Sequence, residues 1–297
     1  MTRPETGVDW FEAQRPRLLR LAYRMLGSLA EAEDIVQEAW LRWQRAERTA
    51  VQAPEAYLRR TVSRLCLDSL KSARARRERY VGAWLPEPLA ESLVQPAEEG
   101  PQLDELTYTL MLALERLSPL ERAAFLLHDV FGVPFDEVAE TVERAPAAVR
   151  QLAARARKHL RRARPRYQVD REEGERMARA FFTAATQGDL AALSGMLAKN
   201  VVLTSDGGGK VLAFLNPIVG LQRVLRLFAG LHRKQDTQGT TFLRPLWIDG
   251  LPGFLSRARG GVLQTTALHI EDGRIAAIYI TRNPDKLRHI AQPAGEA

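Results

Sequence analysis

Asp206 and Lys210 stand on either side of three consecutive glycines in the run TSDGGGKV, a pattern that raises phosphate binding, a catalytic loop or a tight turn. A P-loop needs four residues between its first glycine and a Gly-Lys pair, then a Ser or Thr and a helix. Here Val211 follows Lys210 and a strand-like pattern continues, so the spacing argues against a nucleotide. Gly207, Gly208 and Gly209 still need a reason, because glycine costs regular structure roughly 0.5–1 kcal/mol and is used for positive φ or close backbone approach. A hairpin turn would use the first property and a contact with another segment the second. Acid–base catalysis would need two groups converging in a pocket. The candidates His232, His269, Asp206, Asp249 and Tyr279 are scattered, no spacing pairs them, and both histidines read as structural or surface residues. No metal and no cofactor is expected, and a small ligand is left open.

Phosphate chemistry has stronger support elsewhere. Arg59, Arg60, Arg64 and Lys71 lead into Arg74, Arg76, Arg77 and Arg79, and each neutralised phosphate would release counterions whatever the base sequence. From Arg144 to Arg166 every charged residue is positive. Such a sign bias is not the balanced surface of an ordinary solvated helix. The net charge of +7 over 297 residues agrees with a polyanionic partner. With 45% hydrophobic residues, the chain has apolar material for more than one core. Cys66 is the only cysteine and sits among Leu65, Leu67 and Leu70, which predicts a buried, inert thiol. The N-terminus lacks a signal-like apolar run, and no stretch reaches the roughly 20 residues of a membrane span, so a soluble, cytoplasmic protein is expected.

The elements that must position these residues are mostly helical at first. Phe11, Leu18, Leu21 and Met25 fall at helical spacing, Gly27 stops that helix, and Ser28 caps the next. Ile35, Val36, Ala39, Trp40 and Trp43 then form an apolar stripe, leaving Asp34, Gln37, Glu38 and Leu41 on another face, which is either solvated or a docking strip. A third helix follows Pro54. Residues 82–102, rich in proline and acid, read as a linker, although Trp84 beside Pro86-Glu87-Pro88 is also a candidate anchor. Ser118, Pro119 and Glu121 predict a capped helix, Gly132 its end, and helices from Phe135 to Val142 and from Pro146 to about Arg162 have helix-turn-helix spacing. Beyond Arg166, helices at Glu172–Thr186 and Asp189–Leu197 precede strands VVLTSD, KVLAFL, TTFLRPLWID, GVLQTTALHI and RIAAIYIT, with a helix in NPIVGLQRVLRLFAGLH. Glu271-Asp272-Gly273 joins the last two strands as a hairpin, and the whole predicts an α+β domain with one curved antiparallel sheet.

Two of these stretches, LAEAEDIVQEAWLRWQRA and LSPLERAAFLLHDVFGVPFDEVAETVERAPAAVRQLAARARKHL, resemble the polymerase-binding helix and the promoter −35 reading domain of bacterial extracytoplasmic-function (ECF) sigma factors. WLPEPL at 84–89, DGGGK at 206–210 and NPDKL at 283–287 are similar to the subgroup called group 41, or sigma factor J type, which carries a SnoaL-like (NTF2-like) extension. The resemblance implies two all-α sigma domains followed by that α+β domain: region 2 at 8–81, a linker at 82–107, region 4 with its helix-turn-helix at 108–166 and the extension at 170–290. It also implies a non-enzymatic promoter-specificity subunit whose partners are the clamp and flap of RNA polymerase core and promoter DNA. Asp34, Gln37, Glu38 and Leu41 would bind polymerase; Arg59, Arg60, Arg64, Lys71, Arg150, Gln151, Arg155, Arg157 and Lys158 would bind DNA, with Arg150 and Gln151 on base edges. Trp84, Pro86, Glu87 and Pro88, with Asp206 to Lys210 and Asn283, Pro284 and Asp285, would make a regulatory contact between the extension and the sigma module. One turn departs from the pattern: Glu143, Arg144 and Ala145 stand where many sigma factors carry a small or hydroxyl residue.

Overall fold

The computed structural model describes residues 8–46, 51, 53–77, 80–90, 107–161 and 169–291. The distal linker residues 91–106 and the basic residues Arg79, Arg162, Arg164 and Arg166 lie outside the described residues, as do the side chains of Arg74, Arg76 and Arg77. The chain divides into two compact units.

The first unit is helical: α1 (Val8–Leu26), α2 (Leu29–Arg45), α3 (Pro54–Arg77), most of α4 (Tyr108–Leu114), α5 (Pro119–Phe125), α6 (Phe135–Val142) and α7 (Pro146–Leu160). Gly27 turns the chain at φ 72°, and Ser28 Oγ accepts the Glu31 amide to start α2. Trp43, fully buried, packs with its ring centroid 5.7 Å from both Trp10 and Tyr57, so one aromatic cluster fixes α1, α2 and α3. Ser118 and Glu121 form the expected capping box at α5, which runs into a π-helical turn over Leu126–Val130. Arg122 is 2% exposed; its guanidinium donates to the Met25 and Leu114 carbonyls and pairs with Glu115, tying α5 to the end of α1. Burial pulls its pKa down to about 10, so the charge survives at neutral pH because those acceptors replace water.

The second unit contains residues 79–94 and 106–109 of the linker region together with the chain from Arg164 onward. α8 (Arg171–Gln187), α9 (Leu190–Met196) and α10 (Leu221–Arg233) accompany strands β1 (Leu197–Asp206), β2 (Ile218–Val219), β3 (Thr241–Ile248), β4 (Leu251–Arg257), β5 (Leu263–Glu271) and β6 (Arg274–Thr281). The six strands make one sheet in the order β2-β1-β6-β5-β4-β3. Phe181, Leu193, Val224 and Phe228 of the helices bury the sheet face carrying Val201, Leu203, Phe254, Leu268 and Ile278. The expected hairpin is present, with Asp272 at φ 49° and Gly273 at φ 70°, as a two-residue turn between right-twisted strands requires.

Two expectations are corrected. The sheet is mixed rather than antiparallel, because β1 pairs parallel with β6 while the other neighbours run antiparallel. A chain-distant pairing of this kind leaves no local signal. KVLAFL is also not a strand: β1 already has β2 on one edge and β6 on the other, so the segment between β1 and β2 is a loop with Leu212 86% exposed.

Candidate functional site

α2 turns Ala32, Val36, Ala39 and Trp43 into the core, and its 3.6-residue period therefore puts Asp34, Gln37 and Leu41 in solvent. Glu38 is half-buried and pairs with Arg42 one turn on at 2.8 Å. The four residues assigned from sequence to a polymerase strip thus share the exposed side of one helix.

In the helix-turn-helix, α6 ends at Glu143, which takes φ 55°, and α7 starts at Pro146 without a side-chain cap on Ala145. Val149, Leu152, Ala153 and Ala156 face inward, leaving Arg150, Gln151, Arg155, Arg157 and Lys158 exposed. Arg155 is held by Glu121 at 3.0 Å and Arg157 by Asp129 at 2.7 Å. Burial raises the Glu121 carboxyl, but hydrogen bonds from Ser118 and Arg155 outweigh it and leave its pKa lowered. Arg150 lies 5.8 Å from the Phe135 ring centre, and Phe135 in turn stacks on His128 at 3.6 Å, a support for the arginine that sequence reading missed. The α3 arginines are differently placed: Arg59 pairs with Glu137, Arg60 with Glu140 and Arg64 with Glu143. Lys71 pairs with Asp68 on its own helix.

The second unit brings WLPEPL, DGGGK and NPDKL to one place. Asp206, 1% exposed at the end of β1, is the centre. Its Oδ1 accepts the Tyr80 hydroxyl at 2.6 Å and the Gly208 amide at 3.0 Å; its Oδ2 accepts the Leu85 amide at 2.9 Å and Lys286 Nζ at 2.8 Å. Its carbonyl accepts the amides of Arg282 and Asn283. Lys286 also donates to the Leu85 carbonyl and lies 4.2 Å from the Trp84 ring centre, a cation over an aromatic face. Asn283 donates to Tyr80, and Lys210 pairs with Asp285. Burial, then the Asp206 hydrogen bond, pushes the Tyr80 phenol upward, while the Lys210 hydrogen bond holds Asp285 below the usual carboxylate range.

The glycines answer their sequence-level question by both routes. Gly208 has φ 62°, and a Cβ there would lie 2.3 Å from Asn283 Nδ2; one on Gly207 would lie 2.1 Å from the Val211 carbonyl oxygen. Further along, Glu87 and Pro88 are buried, Tyr108 donates to the Pro86 carbonyl and His289 to the Pro88 carbonyl. Asp249 is bonded at backbone and carboxylate to Leu89 and accepts the Tyr108 amide. Tyr80, Leu85, Tyr108, Lys286 and His289 were not singled out from the sequence. Lys286 had a signal, as the one cation within NPDKL; Tyr80 and Tyr108 flank the linker with nothing local to mark them. Of the acid–base candidates, Asp206 and Asp249 hold the linker, Tyr279 packs against Tyr108 with the rings tilted by 47° and their centres 5.2 Å apart, His269 contacts Glu271 at 3.1 Å and His232 is exposed against Gly188.

Residues 10–76 match the sigma-70 region 2 family and residues 108–160 the sigma-70 region 4 family. The chain is 38% identical to the ECF RNA polymerase sigma factor SigJ of Mycobacterium tuberculosis (strain ATCC 25618 / H37Rv), with 97% of each chain covered. It is 36% identical, over 93% of each chain, to the probable ECF RNA polymerase sigma factor SigI of the same species (strain CDC 1551 / Oshkosh). The crystal structure of the M. tuberculosis SigJ protein aligns with a TM-score of 0.74 at 34% identity, covering 95% of this chain and 99% of that one. Fold, exposed helix-turn-helix and family matches define a sigma factor with regions 2 and 4. Within that class the chain belongs to the ECF RNA polymerase sigma factors, and it carries a fused C-terminal α+β domain, as expected for a SnoaL-like (NTF2-like) extension. Among the described residues no helix is long and apolar enough to cross a membrane.

Proposed function

We propose that this sigma factor is regulated through the docking of its own linker on the C-terminal domain. In this reading Asp34, Gln37, Glu38 and Leu41 meet the polymerase clamp, region 4 meets the flap, and Arg150 and Gln151 read base edges at the −35 element while Arg155, Arg157 and Lys158 meet phosphates. Arg59, Arg60, Arg64 and Lys71 serve the DNA near the −10 element. The linker between regions 2 and 4 must follow the polymerase channel, and its residues 85 to 89, with Tyr80 just before them, are here engaged by Asp206, Asp249, Lys286 and His289. A linker cannot be in both places, so docking and engagement compete.

The observation that carries the reading is the Asp206 carboxylate, which accepts one bond from the linker at Leu85, one from Tyr80 just before it, one from the glycine turn and one from the NPDKL lysine. The test is transcription in vitro with purified polymerase core and the full chain. Asp206→Asn and Lys286→Met should each change promoter output in the same direction as removal of residues 168–297. Output equal to that of the unaltered chain from all three proteins would sink the proposal.

A further inference from the structure

α3 and α6 carry opposite charges that meet pair by pair within the helical unit. The arginines stand at 59, 60 and 64 and the glutamates at 137, 140 and 143; the four-residue step from 60 to 64 and the three-residue steps of the glutamates keep those side chains on one side of their segment, while Arg59 stands on the adjoining track. Arg59 Nη2 is 2.6 Å from Glu137 Oε2, Arg60 pairs with Glu140, and Arg64 Nη2 is 3.1 Å from Glu143 Oε1. Arg64 also donates to the carbonyls of Glu140 and Thr141 at 2.9 and 3.3 Å, where the last turn of α6 presents its negative end. Asp136, Glu140 and Glu143 line one open cleft together with Arg60, Arg64 and Arg144.

A row of carboxylates offers a guanidinium the same charge and the same planar acceptor geometry as a row of phosphates. We propose that the acidic stripe of α6 is an internal competitor for DNA: it occupies the α3 arginines in the free sigma factor and must be displaced before they reach phosphate. This rests on the reading of Arg59, Arg60 and Arg64 as DNA contacts. The exchange is feasible because the arginine side chains keep 18%, 39% and 44% of their surface in solvent, so the pairs are partly screened and individually weak. Arg122, buried with its acceptors, belongs to the permanent packing instead.

The test is binding of the full chain to a labelled DNA duplex without polymerase, read by fluorescence anisotropy at low salt. The triple variant Glu137→Gln, Glu140→Gln, Glu143→Gln should bind about tenfold more tightly, an effect on the scale of one or two additional phosphate contacts. A control with the same change in net charge, Glu172→Gln, Glu173→Gln, Glu175→Gln on α8, should gain far less. Arg60→Ala should weaken binding several-fold in the α6 triple variant and barely in the unaltered chain. Equal gains from the two triple variants, or an equal cost of Arg60→Ala in both backgrounds, would overturn the proposal. Transcription by polymerase carrying Arg60→Ala separates the two levels: a loss there retains the DNA contact while the competition fails, whereas no effect in any assay removes both.

Discussion

Lys286 donates to Asp206 across 2.8 Å with 8% and 0% of the two side chains exposed. Removing one partner of such a pair leaves a buried charge without its counter-ion, which costs roughly 3–5 kcal/mol, whereas replacing both together costs much less. Lys286→Met should therefore lower the urea midpoint of the C-terminal domain sharply. The double variant Asp206→Asn, Lys286→Met should recover part of that loss. Strict additivity would show that the two side chains act independently.

Gly208 sets a second expectation. Alanine there must hold a positive φ, which costs about 1–2 kcal/mol, and must also push Asn283 away from Tyr80. Gly260 has a similar φ of 78°, and a Cβ there would meet nothing within 4 Å. Thermal melting should rank Gly208→Ala clearly below Gly260→Ala, the difference reporting the Asn283 contact alone.

The pH dependence of the linker dock follows from Tyr80. Its pKa is raised on folding, above an ordinary value of 10.0, so its contribution is fully present below pH 10 and declines as pH rises through and beyond that value. Asp285 has the opposite sign: its lowered pKa makes its contribution present at neutral pH and lost on acidification below the ordinary carboxylate value of 3.8. Trp84 lies close to Lys286 and reports the dock by fluorescence. From about pH 10 upward the unaltered chain should show a release step that Tyr80→Phe lacks; the same step in both would assign it to another group.

Arg150 gives the prediction for promoter reading. A bidentate base contact is worth about 1–3 kcal/mol of discrimination, so Arg150→Ala should reduce transcription from the cognate promoter more than it reduces binding to unrelated DNA. Phe135→Leu removes the ring beside Arg150 and should erode discrimination in the same direction by less. Equal losses on both DNAs would make Arg150 a phosphate contact.

What is periodic and local was legible before folding was considered. The α6 span, the Ser118 capping box, the inward face of α2 and the Asp272-Gly273 hairpin each depend on neighbours within about four residues, so their chemistry is written where it acts. The exposed rows on α2 and α7 follow from the same periods. Other features turn on residues far apart in the chain and exist only once it has folded. The parallel pairing of β1 with β6 joins segments some 75 positions apart, closes both edges of β1 and so makes a loop of the apolar run KVLAFL. Tyr80 reaches Asp206 over 126 positions, and Arg60 reaches Glu140 over 80. An arginine on an exposed helix reads from sequence as available to phosphate; only the packing of α6 against α3 reveals that a carboxylate already occupies it.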